Sequence, residues 1–294
     1  MKIEAECIPC ILLRGCKEAS RVVKDRDTLL MIMGKILKVV CENFSPDVPP
    51  AYLGTLRDRI IKDIVKVDPY KNDKKEANRL ALKMLPQIRN FVFGSGEKDE
   101  YLLFKKACMV SVAANAMEFD VSGYDFTLEK IGEVFKSLEL TIDHLPETYR
   151  HLKKSKNILF LTDNAGEIVF DSILIECLKI VGLKVTVAVK DKPVLNDATL
   201  DDAYEAGLDK IADKITTIGS DTVGLIWSEA SDEIKNIFLN SDLVIAKGMG
   251  NYEALTELKN LGIKVLFLLK AKCNPVARSI GVSKGSNVAL LKTL

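Results

Sequence analysis

No stretch of this chain approaches the roughly 18 consecutive apolar residues a membrane-spanning helix needs; its longest apolar runs are strand-sized. Charge of one sign is equally scarce. Lys and Arg number 42 against 41 Asp and Glu, a net +1, and no basic run offers duplex nucleic acid an electrostatic footprint. Histidine occurs twice, at His144 and His151, without metal-ligand spacing, so both are expected to face solvent. Seven cysteines at irregular spacing are too few for a disulfide scaffold. The charged start Met1-Lys2-Ile3-Glu4-Ala5-Glu6 has no apolar signal-peptide core, so a reducing, cytoplasmic compartment is expected. There is no internal repeat and no low-complexity tract. What remains is an ordinary globular composition, 48% hydrophobic and 28% charged over 294 residues. A chain of this length buries about three quarters of its surface without staples, as one large or two modest domains.

The texture changes along the chain. From residue 8 to 140 apolar positions recur at helical spacing, first Ile11, Leu12, Cys16 and Ala19, then Leu29 to Val40. Further helices are expected over Leu53–Val67, Lys75–Val92, Tyr101–Asn115 and Leu128–Leu138, with turns at Phe93–Lys98 and Phe119–Gly123. After residue 155, short β-branched runs alternate with helical patterns. Strands are expected at Asn157–Thr162, Lys184–Lys190, Lys214–Ile218, Leu243–Lys247 and Lys264–Leu269. The fold class is therefore α/β, a helical domain over residues 1–150 followed at 151–294 by a three-layer α/β/α, Rossmann-like domain with a mainly parallel sheet. Ligands of such sheets sit beyond the carboxyl ends of the strands, so the residues following each strand matter most.

The first strand delivers Asp163-Asn164-Ala165-Gly166-Glu167. One reading makes Asn164 a helix cap with Glu167 completing a capping box. The other takes the carboxylate and carboxamide as hard oxygen ligands for Mg²⁺ or Mn²⁺, beside a helix N-terminus that favours an anion. In the second loop, Thr199 and Asp202 form an ordinary cap, leaving Asp197 of the Asn196-Asp197 pair either as a turn former or as a third oxygen ligand. Were the two loops adjacent, Asp163, Asn164 and Asp197 would meet in an all-oxygen site with open positions.

Gly219-Ser220-Asp221 after the third strand admits close backbone approach but also reads as a plain turn. Lys247-Gly248-Met249-Gly250-Asn251-Tyr252-Glu253 follows the fourth strand. It is no dinucleotide fingerprint, because Glu253 stands at the last glycine position and the strand is the wrong one; its two glycines still suit a phosphate-sized nest. At the end of the apolar fifth strand, Lys270 costs desolvation unless an anion meets it, whereas Lys272 reads as a surface lysine. In the helical half, Cys7-Ile8-Pro9-Cys10 opens a helix; one CxxC completes no zinc site, and buried structural thiols or a redox pair are the readings open to it. Asn115 sits in an alanine-rich stretch where a polar amide invites a partner.

Taken in order, Cys7-x-x-Cys10 with Arg14, Asp68-Pro69-Tyr70 with Lys75 and Asn78, Asn115, Asp163 to Glu167 with Asp171, Asn196-Asp197, Lys247 to Glu253 and Lys270-Ala271-Lys272-Cys273 resemble the DUF89 damage-control phosphatases, in their CxxC-bearing archaeal form. The resemblance spans nearly the whole chain. It implies a phosphatase that hydrolyses small phosphomonoesters, such as damaged or side-product sugar phosphates or nucleotides, with a divalent cofactor (Mn²⁺, Ni²⁺, Co²⁺ or Mg²⁺). It places the metal on Asp163, Asn164 and Asp197, and catalysis on Asp163, Asp197 and Lys270. Phosphate or substrate binding falls to Asn115, Glu167, Gly248, Gly250, Asn251, Glu253 and Lys270, and Cys7 and Cys10 carry no assigned role. The partner expected is a small phosphorylated metabolite, with no membrane and no duplex nucleic acid. A non-catalytic nucleotide- or metabolite-binding protein is the rival from another class. An S-adenosylmethionine-dependent carboxyl methyltransferase is a further one, although no glycine-rich loop follows the first strand.

Overall fold

In the computed structural model, which describes residues 1–94, 96–116 and 138–294, the helical periodicity of the first half becomes five helices. They are α1 (Cys7–Val22), α2 (Arg26–Asn43), α3 (Pro50–Val65), α4 (Lys71–Phe93) and α5 (Glu100–Ala116). Asp25 caps α2 by accepting the Thr28 N–H at 2.8 Å, and Pro50 opens α3, where a missing N–H costs nothing. The helix expected over Leu128–Leu138, apart from Leu138, and the turn at Phe119–Gly123 fall outside the described residues.

Seven strands follow: β1 (Leu140–Asp143), β2 (Asn157–Leu161), β3 (Lys184–Val189), β4 (Lys214–Thr217), β5 (Leu243–Lys247), β6 (Lys264–Lys270) and β7 (Asn287–Thr293). The helices among them are α6 (Leu145–Leu152), α7 (Glu167–Ile180), α8 (Leu200–Glu205), α9 (Asp232–Leu239), α10 (Gly248–Leu255) and α11 (Asn274–Ile280). The sheet runs β1-β7-β6-β5-β2-β3-β4, parallel throughout except where β7 lies antiparallel to β6. The five expected strands are all present. The sequence reading missed β1, which is only four residues long, and β7, which follows Gly281 and Gly285 after the seven-residue helix α11 instead of the longer helix a βαβ unit leads one to expect.

Alternation along the strands assigns the layers. Ile158, Phe160, Leu243, Ile245, Leu266 and Leu268 face a core shared with α4, α5 and α7, whereas Leu159, Leu161, Val244, Ala246 and Phe267 face Phe238, Tyr252 and Val276 on α9, α10 and α11. The expected helical domain over residues 1–150 therefore does not coincide with one core. Alpha-helices α4 and α5 cover the sheet and β1 belongs to it, while α1, α2 and α3 enclose a separate core around Ile11, Ile32, Ile36, Leu53 and Ile61. Leu161 of β2 is level with Ala188 of β3 and Ala246 of β5, so the loops leaving these strands emerge side by side. Because β3 and β4 extend from one side of β2 and β5 and β6 from the other, a crevice opens between the ends of β2 and β5. Among the described residues no helix is long and apolar enough to cross a membrane.

Candidate active site

The loops after β2 and β3 are joined by their backbones. Ala165 N–H donates to the Asn196 carbonyl at 2.9 Å and Ala198 N–H to the Asp163 carbonyl at 2.8 Å, forming a bridge between Asn164 and Asp197. Asp163, Asn164 and Asp197 are thus brought to one place. The capping-box reading of Asn164 fails, because the cap of α7 is Gly166 and the Asn164 amide donates instead to Asp163 Oδ2 at 3.0 Å and Glu167 Oε2 at 3.1 Å. In the second loop the Thr199–Asp202 cap is present, the Thr199 N–H donating to Asp202 Oδ2 at 2.8 Å. Asp197 takes no part in it; buried, it lies 3.5 Å from Lys190 Nζ.

The third wall comes from β5. Gly248 has φ +75°, and a Cβ there would lie 1.9 Å from Asp163 Oδ2, so glycine is what lets the strand end close against the carboxylate. Asn115, buried on α5, donates to Asp163 Oδ2 at 2.9 Å and to both Glu167 oxygens, while its own Oδ1 accepts the Lys270 N–H at 3.1 Å. Asp163 Oδ2 is thereby held by two amides. Among the described residues its Oδ1 accepts no hydrogen bond.

Under this layer lies a cation that sequence reasoning passed over. Lys247 follows Leu243 and Ile245 onto the α5 and α7 face of the sheet and is fully buried. Its Nζ meets Glu167 Oε1 at 2.6 Å, Asp171 Oδ1 at 2.9 Å and the Ser111 carbonyl at 2.7 Å. The sequence carries its signal, since a lysine ending a wholly apolar strand must find an anion. Asn78 is a further residue with no role assigned from the sequence. It accepts the Gly166 N–H at 2.7 Å and donates to Asp202 and Glu205, clamping α4 to both loops.

Three buried carboxyl groups, Glu167, Asp171 and Asp197, and the half-buried Asp163 stand against two buried ammonium groups, Lys247 and Lys190, an excess of negative charge. Burial, with the charges of Glu167 and Asp197 adding to it, raises Asp163 well above the ordinary carboxylate range; Lys272 and Lys190 oppose the shift. Burial also pushes Asp197 up to about 6 against the pull of Lys190, and Asp171 to about 6 against that of Lys247. Of the two lysines whose fields reach Asp163, the stronger is Lys272, read from sequence as a surface residue. Lys270, expected to bind phosphate, places its backbone N–H on Asn115.

Several other expected ligands are occupied otherwise. The Asn251 amide donates to the carbonyls of Thr162 and Lys247 and accepts the Leu225 N–H, so it ties α10 to β2 and is not free for phosphate. Gly250 packs against Val223 and Gly224. Glu253 faces a cavity of about 540 Å³ bounded by α1, α3, Leu195, Met249 and Lys272, and a carboxylate there repels phosphate. Cys7, Cys10 and Cys273 line the same cavity; Cys7 is buried and Cys10 exposed, so the pair is not a buried structural one. Among the described residues no three His, Cys, Asp or Glu side chains are grouped to hold a metal, so neither the thiols nor the carboxylates form a self-sufficient cage. Asp221 accepts from Arg59 and pins α3 to the loop after β4. The histidines are half-buried, not solvent-facing: His144 Nδ1 accepts the Leu291 N–H, and His151 Nε2 lies 2.8 Å from the Asp242 carbonyl.

With this geometry established, the comparisons with known proteins are decisive. Residues 3–288 match the damage-control phosphatase ARMT1-like domain. The chain belongs to this family, known also as DUF89. It is 38% identical over 300 residues to a damage-control phosphatase of Archaeoglobus fulgidus, covering 98% of this chain and 99% of the relative. To a damage-control phosphatase of Pyrococcus horikoshii it is 32% identical over 292 residues, covering 99% and 98%. An uncharacterized protein of Methanocaldococcus jannaschii is 39% identical over 294 residues, covering 99% and 95%. The crystal structure of a DUF89 family protein from Pyrococcus horikoshii superposes with a TM-score of 0.87 at 30% identity, covering 99% of each chain. The relatives' names support a phosphatase, and the mixed fold is that of the family.

Two predictions follow from the buried charges. Lys247→Met leaves Glu167 and Asp171 without their cation and lowers unfolding free energy by about 3–5 kcal/mol, measured by denaturant titration; a loss below 1 kcal/mol contradicts the ion cluster. Burial pushes the Glu253 carboxyl up to about 7 from its ordinary 4.5, against the amino-terminal ammonium and Arg14. The unfolded chain then loses this proton first, so stability falls as pH rises from about 4.5 to 7 and is level above. Glu253→Gln flattens that slope by on the order of 1 kcal/mol, read from unfolding at pH 5 and pH 7.

Proposed function

We propose that this protein is a divalent-cation-dependent phosphatase acting on small phosphomonoesters, in the damage-control role for which its relatives are named. The observation that carries the reading is the meeting of Asp163, Asn164 and Asp197 at the mouth of the sheet in a pocket with surplus negative charge. The donor set fits a hard divalent ion. Among the described residues Asp163 Oδ1 accepts no hydrogen bond, and the Asn164 amide nitrogen faces carboxylates, which leaves its oxygen for a ligand. Two carboxylates and one amide leave positions for water and substrate, as Mg²⁺ and Mn²⁺ sites require. Asp163, Asn164 and Asp197 would hold the ion. When bound, it polarises a phosphoryl oxygen and lowers the pKa of a coordinated water.

The remaining work falls to the chain. Asn115 and Asn164 fix Asp163 through Oδ2, so the carboxylate presents Oδ1 in one orientation. Glu167 is neutralised from beneath by Lys247 and holds both amides in place. Lys272, at the junction of the site and the adjoining cavity, stabilises negative charge developing on the phosphoryl oxygens. The cavity, lined by Leu195 two residues before Asp197, by Met249 next to Gly248 and by Lys272, receives the rest of the ester. Asp163 or Asp197 takes the proton or the nucleophilic role.

Purified protein is expected to hydrolyse p-nitrophenyl phosphate with Mg²⁺, Mn²⁺, Ni²⁺ or Co²⁺ and to stop under excess chelator. Asp163→Ala is expected to reduce turnover at least about 1,000-fold with an unchanged circular dichroism spectrum; full turnover in that variant, or in chelator, overturns the proposal. Removing one stabilising cation typically costs about 100-fold or more. Lys272→Ala is therefore expected to lose about 100-fold in kcat/KM and Lys270→Ala under fivefold, the reverse order restoring Lys270 as the phosphate ligand.

A further inference from the structure

Arg57 on α3 is 2% exposed and forms part of the wall of the 540 Å³ cavity, which it shares with Lys272, the lysine acting on Asp163, and with Leu195 and Met249. The fold makes room for it: a Cβ on Gly15 of α1 would lie 3.0 Å from Arg57 Cδ. Yet its guanidinium is poorly answered. Among the described residues its one ion pair is Nη2 to Glu18 Oε2 at 3.3 Å, and neither Nε nor Nη2 has a hydrogen-bond acceptor. Glu18 is itself buried with both oxygens unbonded, and burial pushes its carboxyl up to about 9 despite Arg57, with Asp58 adding to the shift. Neighbouring Asp58 is paired with Lys62 at 2.7 Å, so it does not serve Arg57 either.

A buried guanidinium with unmatched donors is costly, and its planar fork matches carboxylate and phosphate oxygens two at a time. Besides Arg57 the cavity is lined by three cations, Arg14, Lys272 and Lys284, against two acids, Glu6 and Glu253, so its balance favours an anion, while Ile11, Pro50 and Val223 give it apolar walls for a carbon skeleton. We propose that Arg57 binds a second acidic group of the substrate, so that the preferred phosphomonoesters carry a carboxylate or second phosphate besides the one removed. This assignment rests on the phosphatase reading for the placement of the first phosphate. It makes Arg57 a specificity-determining residue, contributed by the α1–α3 body to a centre built on the sheet.

The test measures binding, so that it stands apart from turnover. Calorimetry at pH 7 compares 6-phosphogluconate with sorbitol 6-phosphate, which differ at the far end as carboxylate against hydroxymethyl, and hexose 1,6-bisphosphate with hexose 6-phosphate. Phosphate release with added Mn²⁺ is followed in parallel. The acid-tailed ester of at least one pair is expected to bind tenfold or more tightly, and the pair that shows it identifies the group. Arg57→Met is expected to reduce that ratio to below threefold, with Arg57→Lys between. Ratios below threefold for both pairs in the unaltered protein overturn the inference even if a variant fails to fold, as does a ratio that survives in a folded Arg57→Met protein. A tenfold preference lost in Arg57→Met but with no phosphate release from any ester sinks the phosphatase reading and leaves the acid-binding subsite standing.

Discussion

The ion cluster at Lys247 is the constraint on which the rest of the site depends. A fully buried ammonium is sustainable only with anions at hydrogen-bond distance, and Glu167 and Asp171 supply them from successive turns of α7. The consequence runs upward. Glu167, fixed by Lys247, accepts from Asn115 and Asn164, and these amides in turn fix Asp163. One buried charge on β5 thus orients a carboxylate on the neighbouring strand. The sheet order makes this possible, because β2 and β5 are adjacent at the point where the chain reverses its direction of growth.

Rigidity below contrasts with electrostatic imbalance above. Lys247 is matched by two acids, but Asp163 has only amides within hydrogen-bond distance, and the lysines that act on it do so through space. Uncompensated buried carboxylates raise one another's pKa, and the opening for a cation or a phosphorylated ligand consists in that surplus. Holding Asp163 by one oxygen preserves its direction while leaving the other oxygen unsatisfied. A protein lysine placed against Asp163 would remove the imbalance and the opening with it.

Much of this was legible in the sequence, for identifiable reasons. Short β-branched and apolar runs alternating with helical patterns mark five strands to within a residue or two of their ends, and the rule that parallel sheets bind ligands beyond their carboxyl ends singles out Asp163, Asn164 and Asp197. What stayed hidden depends on three-dimensional partnership. Asn251 looks like a phosphate ligand by position, yet the carbonyls of Thr162 and Lys247 claim its amide. Lys270 and Lys272 differ by two residues; one ends the strand and the other belongs to the turn after it, and only the turn carries its lysine into the cavity. Glu18 and Arg57 lie 39 positions apart on different helices, and no local pattern announces that they meet.

The two helical bodies contribute differently to the site. Helices α4 and α5 share the main core and deliver Asn78 and Asn115, side chains whose task is to position loops; altering them disturbs geometry. Helices α1, α2 and α3 keep their own core and reach the sheet through ion pairs such as Arg59 with Asp221 and through the small contact of Ala51 with Ala254 and Ile226. Among the described residues, Arg14 and Arg57 act on Glu253 and Glu18 and form no ion pair with Asp163, Glu167, Asp171 or Asp197. That separation lets substrate preference change on one body while the phosphoryl chemistry stays fixed on the other, because the elements that hold Asp163 and Asp197 gain nothing from the identity of the side chains across the cavity.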